Sequence, residues 1–314
     1  MSWLITGGGG FLGANVARTL AAHGEEIVCF DRAFGDVELP ANVATQAGDV
    51  SDRAQVAEAF RRYPRVDRVV HLAYLMGSES EADPVAAMRV NALGTATVFD
   101  EACKHGVGRI VFMSSESIYG RSQSRYGEHG VTEDDYCAPR DHALNYSLTK
   151  LVNEHLAAKY EARTSVAIVC LRAPVVYGAG RKRGMTAWAS DFATLPALDE
   201  AVTLPFPADD LNCYIYVKDL AEQVYALAVR RELAHRVYNA GGETVSAQEL
   251  AALVRKVVPS ARLSFSADRP HSPFVYRMDD SRIRAEIGQL RRPLEDGIRD
   301  HVAEVRRLRL PARD

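Results

Sequence analysis

Short apolar runs alternate with longer stretches of helical spacing through the first half of the chain. Trp3–Thr6 reads as a strand, and Leu12, Val16 and Leu20 recur at helical spacing between Phe11 and His23. Glu26–Phe30 is the next strand, followed by a helix that Ser51 caps and that runs to about Arg62. A strand at Val66–Leu72, a long helix at Pro84–His105 and a strand at Arg109–Ser114 come next. A helix from about Tyr146 to Arg163 and a strand at Ser165–Leu171 complete the rhythm. Strand followed by helix, repeated, predicts an α/β protein with a doubly wound parallel sheet of Rossmann type. After about Gly178 the rhythm loosens. Helices are expected at Lys218–Arg231, Ala247–Val257, Asp280–Ile287 and Leu294–Leu308, and a strand at Val237–Asn239. The division expected is residues 1–178 as the sheet domain and 179–314 as a smaller C-terminal α/β lobe, with segments interleaved back into the first.

Chemistry enters at the first turn. Gly7-Gly8-Gly9-Gly10-Phe11-Leu12-Gly13 holds both Gly8-x-Gly10-x-x-Gly13 and Gly7-x-x-Gly10-x-x-Gly13, between a strand and a helix. Glycines there permit a tight turn and close approach of backbone to a pyrophosphate, while the helix start offers free N–H groups to the anion. Asp31 ends the second strand 18 residues beyond Gly13, close to the roughly 20 expected of a carboxylate that accepts the ribose hydroxyls. That carboxylate repels a 2′-phosphate and points to NAD. Arg32, which could hold such a phosphate, keeps NADP as the less favoured alternative. The first domain is therefore expected to bind a dinucleotide.

Tyr146 and Lys150 are four residues apart, on one face of the predicted helix. A free phenol titrates near pH ~10 and is a poor base at neutrality. A neighbouring ammonium and the positive ring of an oxidised nicotinamide would favour the phenolate and make Tyr146 a usable general base or acid. Upstream, Ser114-Ser115-Glu116-Ser117-Ile118-Tyr119-Gly120 begins at the end of a strand, where hydroxyls face the ligand crevice. Three serines crowd that site, and spacing alone leaves open which one acts.

Charge and cysteine usage narrow the class. A net charge of −3 with no basic stripe argues against nucleic-acid or anionic-membrane binding, which leaves a small-molecule substrate. Cys29, Cys103, Cys137, Cys170 and Cys213 show no Cys-x-x-Cys spacing and read as free thiols of a reducing cytoplasm. No signal-peptide pattern opens the chain, and no run approaches the ~20 apolar residues of a membrane span. A cytoplasmic location follows as an expectation. No histidine has metal-ligand spacing, so no metal is expected.

Taken together, these motifs resemble the extended short-chain dehydrogenase/reductase family, the NAD-dependent epimerase/dehydratase type. Further matches are Gly48-Asp49-Val50, His71-Leu72-Ala73, Asn91-Ala92-Leu93-Gly94-Thr95, Leu171 to Gly178 and Tyr214 to Asp219. The resemblance implies Ser115, Tyr146 and Lys150 as catalytic residues. It implies cofactor contacts at Gly7, Gly10, Phe11, Leu12, Gly13, Asp31, Arg32, Asp49, Val50, Leu72, Ala73 and Asn91, with Tyr146 and Lys150 beside the nicotinamide end. It also implies a homodimer built on the helices of 84–105 and 146–163, where Ala86, Ala87, Ala92, Ala96, Leu151, Leu156, Ala157 and Ala158 supply small and apolar surface.

Departures from the family pattern bear on the reaction. Sugar 4,6-dehydratases carry an acid where this chain has Ser117. Glu116, one position earlier, matches their other acid and otherwise reads as a structural carboxylate. Epimerases of nucleotide sugars carry asparagine at the place of Val175 and arginine at the place of Asn212. Arg269 is kept, but the residues after it are not. Arg181-Lys182-Arg183 reads as a solvated basic turn, with capture of a carboxylate or phosphate as the sharper alternative. Arg172 is equally compatible with a buried ion pair. The expectation is an oxidoreductase moving a hydride between nicotinamide and a secondary alcohol or ketone of a polar small molecule, a sugar or hydroxy acid. A sugar epimerase with tightly held NAD is the alternative. A 4,6-dehydratase or a non-catalytic dinucleotide binder is disfavoured.

Overall fold

The strand–helix alternation produces a sheet of seven parallel strands. The computed structural model describes residues 1–35, 37–120, 123–135, 138–142, 144–182 and 184–309. The strands of this sheet are β1 (Ser2–Thr6), β2 (Glu26–Asp31), β3 (Val43–Ala47), β4 (Arg68–His71), β5 (Arg109–Ser115), β6 (Ala167–Ala173) and β10 (Val237–Asn239). Their spatial order is β10-β6-β5-β4-β1-β2-β3. Alternation along β1 sends Trp3 and Ile5 to one face and Leu4 to the other. On the first face α1 (Phe11–Ala22) and α8 (Val217–Val229) cover the sheet through Val16, Leu20, Leu220, Val224 and Leu227. On the second, α2 (Arg53–Arg62), α5 (Thr95–His105) and α6 (Asn145–Glu161) bury Phe60, Val98, Phe99 and Ala157. Strand order reverses between β1 and β4, which opens a crevice at their C-terminal ends.

A smaller lobe packs over that crevice. Its main sheet is formed by β7 (Val175–Tyr177), β9 (Leu211–Tyr216) and β11 (Glu243–Ser246), in the order β11-β9-β7, and a separate pair by β8 (Val202–Leu204) and β12 (Leu263–Phe265). Helices α7 (Trp188–Ala197), α9 (Ala247–Val257) and α11 (Leu294–Arg309) close its core around Tyr177, Phe192, Tyr214, Leu250 and Ile298. The short α10 (Ser281–Ile287) instead adds Ile283 to the core beneath α8. Although all three follow residue 178, β10 pairs with β6 in the large sheet and α8 and α10 pack into the core on its face.

Local chemistry shifted several boundaries. Asp52, not Ser51, caps α2, accepting from the N–H of Ala54 at 2.9 Å and of Gln55 at 3.2 Å. Ser51 instead donates its own N–H to Asp49 Oδ1 at 2.8 Å, so the turn before the helix takes it out of the capping position. The long helix is preceded by α3 (Gly77–Ala82), starts at α4 (Pro84–Ala87) and passes through a π turn at Met88–Gly94 before α5. Within that turn the Asn91 carbonyl accepts from Thr95 Oγ1 and from Asn153 Nδ2, both at 2.7 Å. Side-chain competition for a backbone acceptor of this kind loosens the regular helical ladder. No helix is long and apolar enough to cross a membrane among the described residues.

Candidate active site

The glycine turn is a steric requirement. Gly7 has φ of +75°, and a Cβ there would stand 2.7 Å from the Ala73 nitrogen. A Cβ on Gly13 would stand 2.2 Å from the Gly7 carbonyl oxygen. Only hydrogens fit where the end of β4 and the first turn of α1 close on this loop. No side chain caps α1 at Gly10, so its opening N–H groups remain for an anion. Asp31 accepts from Gly9 N–H at 3.0 Å and from Arg32 N–H at 2.7 Å, tying the end of β2 to the turn. The Arg32 side chain is exposed. Asp49 receives Ser51 and uses its own N–H on Gln55 at 2.9 Å, while Val50 is buried against Gly94.

The other residues expected at the cofactor lie where β4 ends. Leu72 and Ala73 continue from β4 against Gly7. The Asn91 amide is consumed by Leu75, accepting its N–H at 2.7 Å and donating to its carbonyl at 3.1 Å. Asn91 therefore shapes the segment after β4. His71 is buried between Thr6 Oγ1 at 2.6 Å and Thr95 Oγ1 at 2.9 Å. Burial pushes its pKa down to about 3, so it is a neutral structural bridge.

The three serines separate by orientation. Ser114 donates to Glu154 at 2.5 Å. The Ser117 hydroxyl is buried and has no hydrogen-bond partner among the described residues. Ser115 Oγ accepts the Ser117 N–H at 3.2 Å and stands near enough to the Tyr146 phenol to lower its pKa. β5 ends at Ser115 and α6 begins at Asn145, so a strand end and a helix start meet at this hydroxyl pair.

Charge around the pair is distributed differently from the sequence expectation. Lys150 Nζ donates to the Met113 carbonyl at 2.6 Å and sits 3.4 Å from the centre of the Tyr74 ring, but 5.5 Å from that of Tyr146. Tyr74 meets Tyr146 edge-on at 5.4 Å. Burial holds the Lys150 ammonium well below its ordinary pKa, with Glu154 opposing. Burial raises the Tyr146 phenol, and Ser115 and the Arg181 guanidinium pull it back. The cation acting on the phenol through space is thus Arg181.

Arg181 is not part of a solvated turn. It donates to the Val176 carbonyl and to Thr186 Oγ1, and its guanidinium lies 5.9 Å from the Phe11 ring centre at the mouth of α1. Lys182 is exposed, and Arg183 lies outside the described residues. Glu116 opens a short 3-10 turn behind Ser115, is only 5% exposed and has no partner on Oε2 among the described residues. Burial holds its carboxyl well above the ordinary range.

The other substrate candidates do not join this cluster. Val175 is buried in the small-lobe core, paired opposite Tyr214 on β9, because strand alternation turns it inward. Asn212 is buried and donates to Asp210 at 2.7 Å, while Asp210 also receives Ser272 N–H at 2.7 Å. Arg269 is exposed on a turn. Sequence reasoning missed Tyr74, Asn153 and Glu154. Asn153 and Glu154 stand three and four residues after Lys150 on its own helix, a spacing that pointed to them.

Comparison with known proteins adds the family. A family model described as "NAD dependent epimerase/dehydratase family" matches residues 3–241. A dTDP-glucose 4,6-dehydratase of Streptomyces griseus is 29% identical over 300 residues, covering 91% of this chain and 88% of the relative. The solved UDP-glucose 4-epimerase of Thermus thermophilus, in complex with NAD, is 27% identical with a TM-score of 0.83, covering 98% of this chain and 99% of the other. An L-threonine dehydrogenase from Cupriavidus necator shares the fold, with a TM-score of 0.84 at 20% identity over 98% and 99% of the two chains. These three carry different reactions on one scaffold. With the family model spanning residues 3–241, the chain belongs to the NAD dependent epimerase/dehydratase family, an enzyme family of the extended short-chain dehydrogenase/reductase type.

Proposed function

We propose that this protein moves a hydride between NAD and a secondary alcohol or ketone of a small polar molecule, a sugar or hydroxy acid. The observation that carries this reading is the placing of Ser115, at the end of β5, beside Tyr146 in the first turn of α6, with Lys150 one turn further on bonded to the Met113 carbonyl at 2.6 Å. The cradle fits the cofactor: Gly7, Gly10, Phe11, Leu12 and Gly13 would hold its pyrophosphate, and Asp31 a ribose. Asp49 and Val50 would flank the adenine, Leu72 and Ala73 would underlie the cofactor, and Lys150 would reach the nicotinamide ribose. NAD, when bound, supplies the hydride acceptor. Tyr146 takes the hydroxyl proton and Ser115 holds the oxygen as its charge changes.

Two features favour net oxidation or reduction over the rival outcomes. Elimination needs a base beside the acid, and the residue after Glu116 is a serine whose hydroxyl is buried. A nucleotide diphosphate needs several donors, and Val175 and Asn212 offer none to the cleft. Absorbance at the reduced-nicotinamide band, followed with NAD and a panel of secondary alcohols, is expected to rise. Isomerised product without net NADH would establish the epimerase reading instead.

We also propose a homodimer. Val85, Met88 and Leu93 on the helix of 84–105, and Leu148 and Val152 on α6, are exposed large apolar residues on neighbouring elements. A patch of that kind favours association. Sedimentation of the native chain should give dimer mass, and the pair Leu93→Asp, Leu148→Asp should give monomer. A native monomer would refute the assembly.

A further inference from the structure

Lys150 is buried, and its close neighbours are not the ones a charge ordinarily has. Nζ donates to the Met113 carbonyl at 2.6 Å. Glu154, one turn further along α6, is paired elsewhere: Arg172 engages both of its oxygens, and Ser114 donates to one of them. What stands against Nζ is an aromatic face. The centre of the Tyr74 ring is 3.4 Å away, that of Phe112 4.7 Å and that of Tyr146 5.5 Å. At 3.4 Å the ammonium can only lie over the face of the Tyr74 ring, because an approach in the ring plane would overlap the ring carbons. That face carries the negative end of the ring quadrupole.

Burying an ammonium away from water favours loss of its proton, and a ring face opposes that loss, the more strongly where solvent is excluded. Tyr74 is itself held in place. Its hydroxyl accepts from Asn153 Nδ2 at 3.1 Å, and its ring meets that of Tyr146 edge-on, at 5.4 Å and 84°. One ring therefore touches both the ammonium and the phenol ring. We infer that Tyr74 is a positioning residue of the hydride-transfer centre: its face stabilises the buried Lys150 ammonium where no carboxylate pairs with it, and its contact with Tyr146 fixes the phenol next to that charge. This deepens the proposed function and rests on it. The other titratable groups that act on Nζ or are acted on by it are Glu154 and Tyr146 on α6, His71 on β4 and Cys170 on β6. All of them are common to the variants compared below, so a difference between variants belongs to the ring at position 74.

The test changes the charge of the face at nearly constant shape. The Nζ resonance of Lys150, assigned by its loss in Lys150→Met, is titrated by NMR in the full chain carrying phenylalanine, then mono-, di- and trifluorophenylalanine, at position 74. Each ring fluorine withdraws charge from the face, so the midpoint should fall stepwise, by about one pH unit across the series. Tyr74→Phe keeps the face and loses the bond from Asn153, and its midpoint should stay within about 0.3 of the native one. Tyr74→Leu removes the face and should lie about one pH unit below native. In turnover the alkaline limb of kcat/KM should move to lower pH by the same amount in Tyr74→Leu, because the ammonium is lost sooner as pH rises, and Tyr74→Phe should restore it. A midpoint that ignores fluorination overturns the inference. So does a Tyr74→Phe midpoint displaced as far as that of Tyr74→Leu, which would leave Tyr74 as packing held through Asn153. The parent reading fails separately. If no alcohol yields NADH while the midpoint follows the fluorines, hydride transfer is wrong and the ring–ammonium contact stands; if NADH forms and the limb does not move in Tyr74→Leu, hydride transfer stands and Tyr74 does not position its charge.

Discussion

Replacing Tyr146 with phenylalanine is expected to lower kcat by about 10²- to 10⁴-fold while NAD affinity stays within about threefold. The ring stays and keeps its edge-on contact with Tyr74, so the cleft keeps its shape. What goes is the phenolic hydroxyl beside Ser115. The pH dependence makes the test specific. Burial raises the phenol in the free enzyme, and its base form is the minor one at neutrality. kcat/KM, which reports the free enzyme, should climb steadily from pH 6 to pH 9 and lose that climb in the phenylalanine variant. Removing Arg181 removes a downward pull on the phenol, so the limb should move to higher pH in Arg181→Leu. A phenylalanine variant that keeps a tenth of native turnover would eliminate Tyr146 as the proton-transfer group.

How much of this was legible in the sequence depends on which forces are local. β10 and α9 match their expected spans, Val237–Asn239 and Ala247–Val257, because periodicity and the Ser246 cap are written in consecutive residues. β3 escaped notice because it is a half-exposed strand of Val43-Ala44-Thr45-Gln46-Ala47 with no apolar run. β9 escaped because Asn212 and Cys213 break the apolar pattern, and only the partner strands β7 and β11 make it a strand. The π turn depends on Asn153, which lies on another helix. Tyr146 and Lys150 were visible because four-residue spacing is a property of one helix. Tyr74 was not, since it reaches Tyr146 from a separate segment. Arg181 was a candidate, but in a run of charges the general expectation is solvent, and its bonds to the Val176 carbonyl and Thr186, which turn it inward beside Phe11, are not written in that run.

Arg172→Ala is expected to cost about 3–5 kcal/mol of stability, the loss found when one partner of a buried ion pair is removed. Arg172 holds Glu154 in a two-pronged contact at 3.0 and 2.7 Å, and both side chains are only 7% exposed. Its third nitrogen donates to the Tyr119 hydroxyl at 2.8 Å and to the Glu133 carbonyl at 3.1 Å. Tyr119 in turn donates to Asn239 on β10, whose N–H reaches Glu133 at 2.7 Å. One guanidinium thus links β6, α6, the turn after β5 and the strand returning from the far end of the chain. Without it, the Glu154 carboxylate is left buried with Ser114 as its remaining hydrogen-bond donor. The penalty is chiefly that unpaired charge, so removing both charges should hurt less than removing one. Arg172→Met with Glu154→Leu is therefore expected to recover most of the loss in a urea unfolding series. The double variant should still impair turnover, because Glu154 favours the Lys150 ammonium and Ser114 adjoins Ser115. If the double variant unfolds as easily as Arg172→Ala, the cost comes from the lost contacts to Tyr119 and Glu133, and the ion pair is not what joins β10 to the sheet.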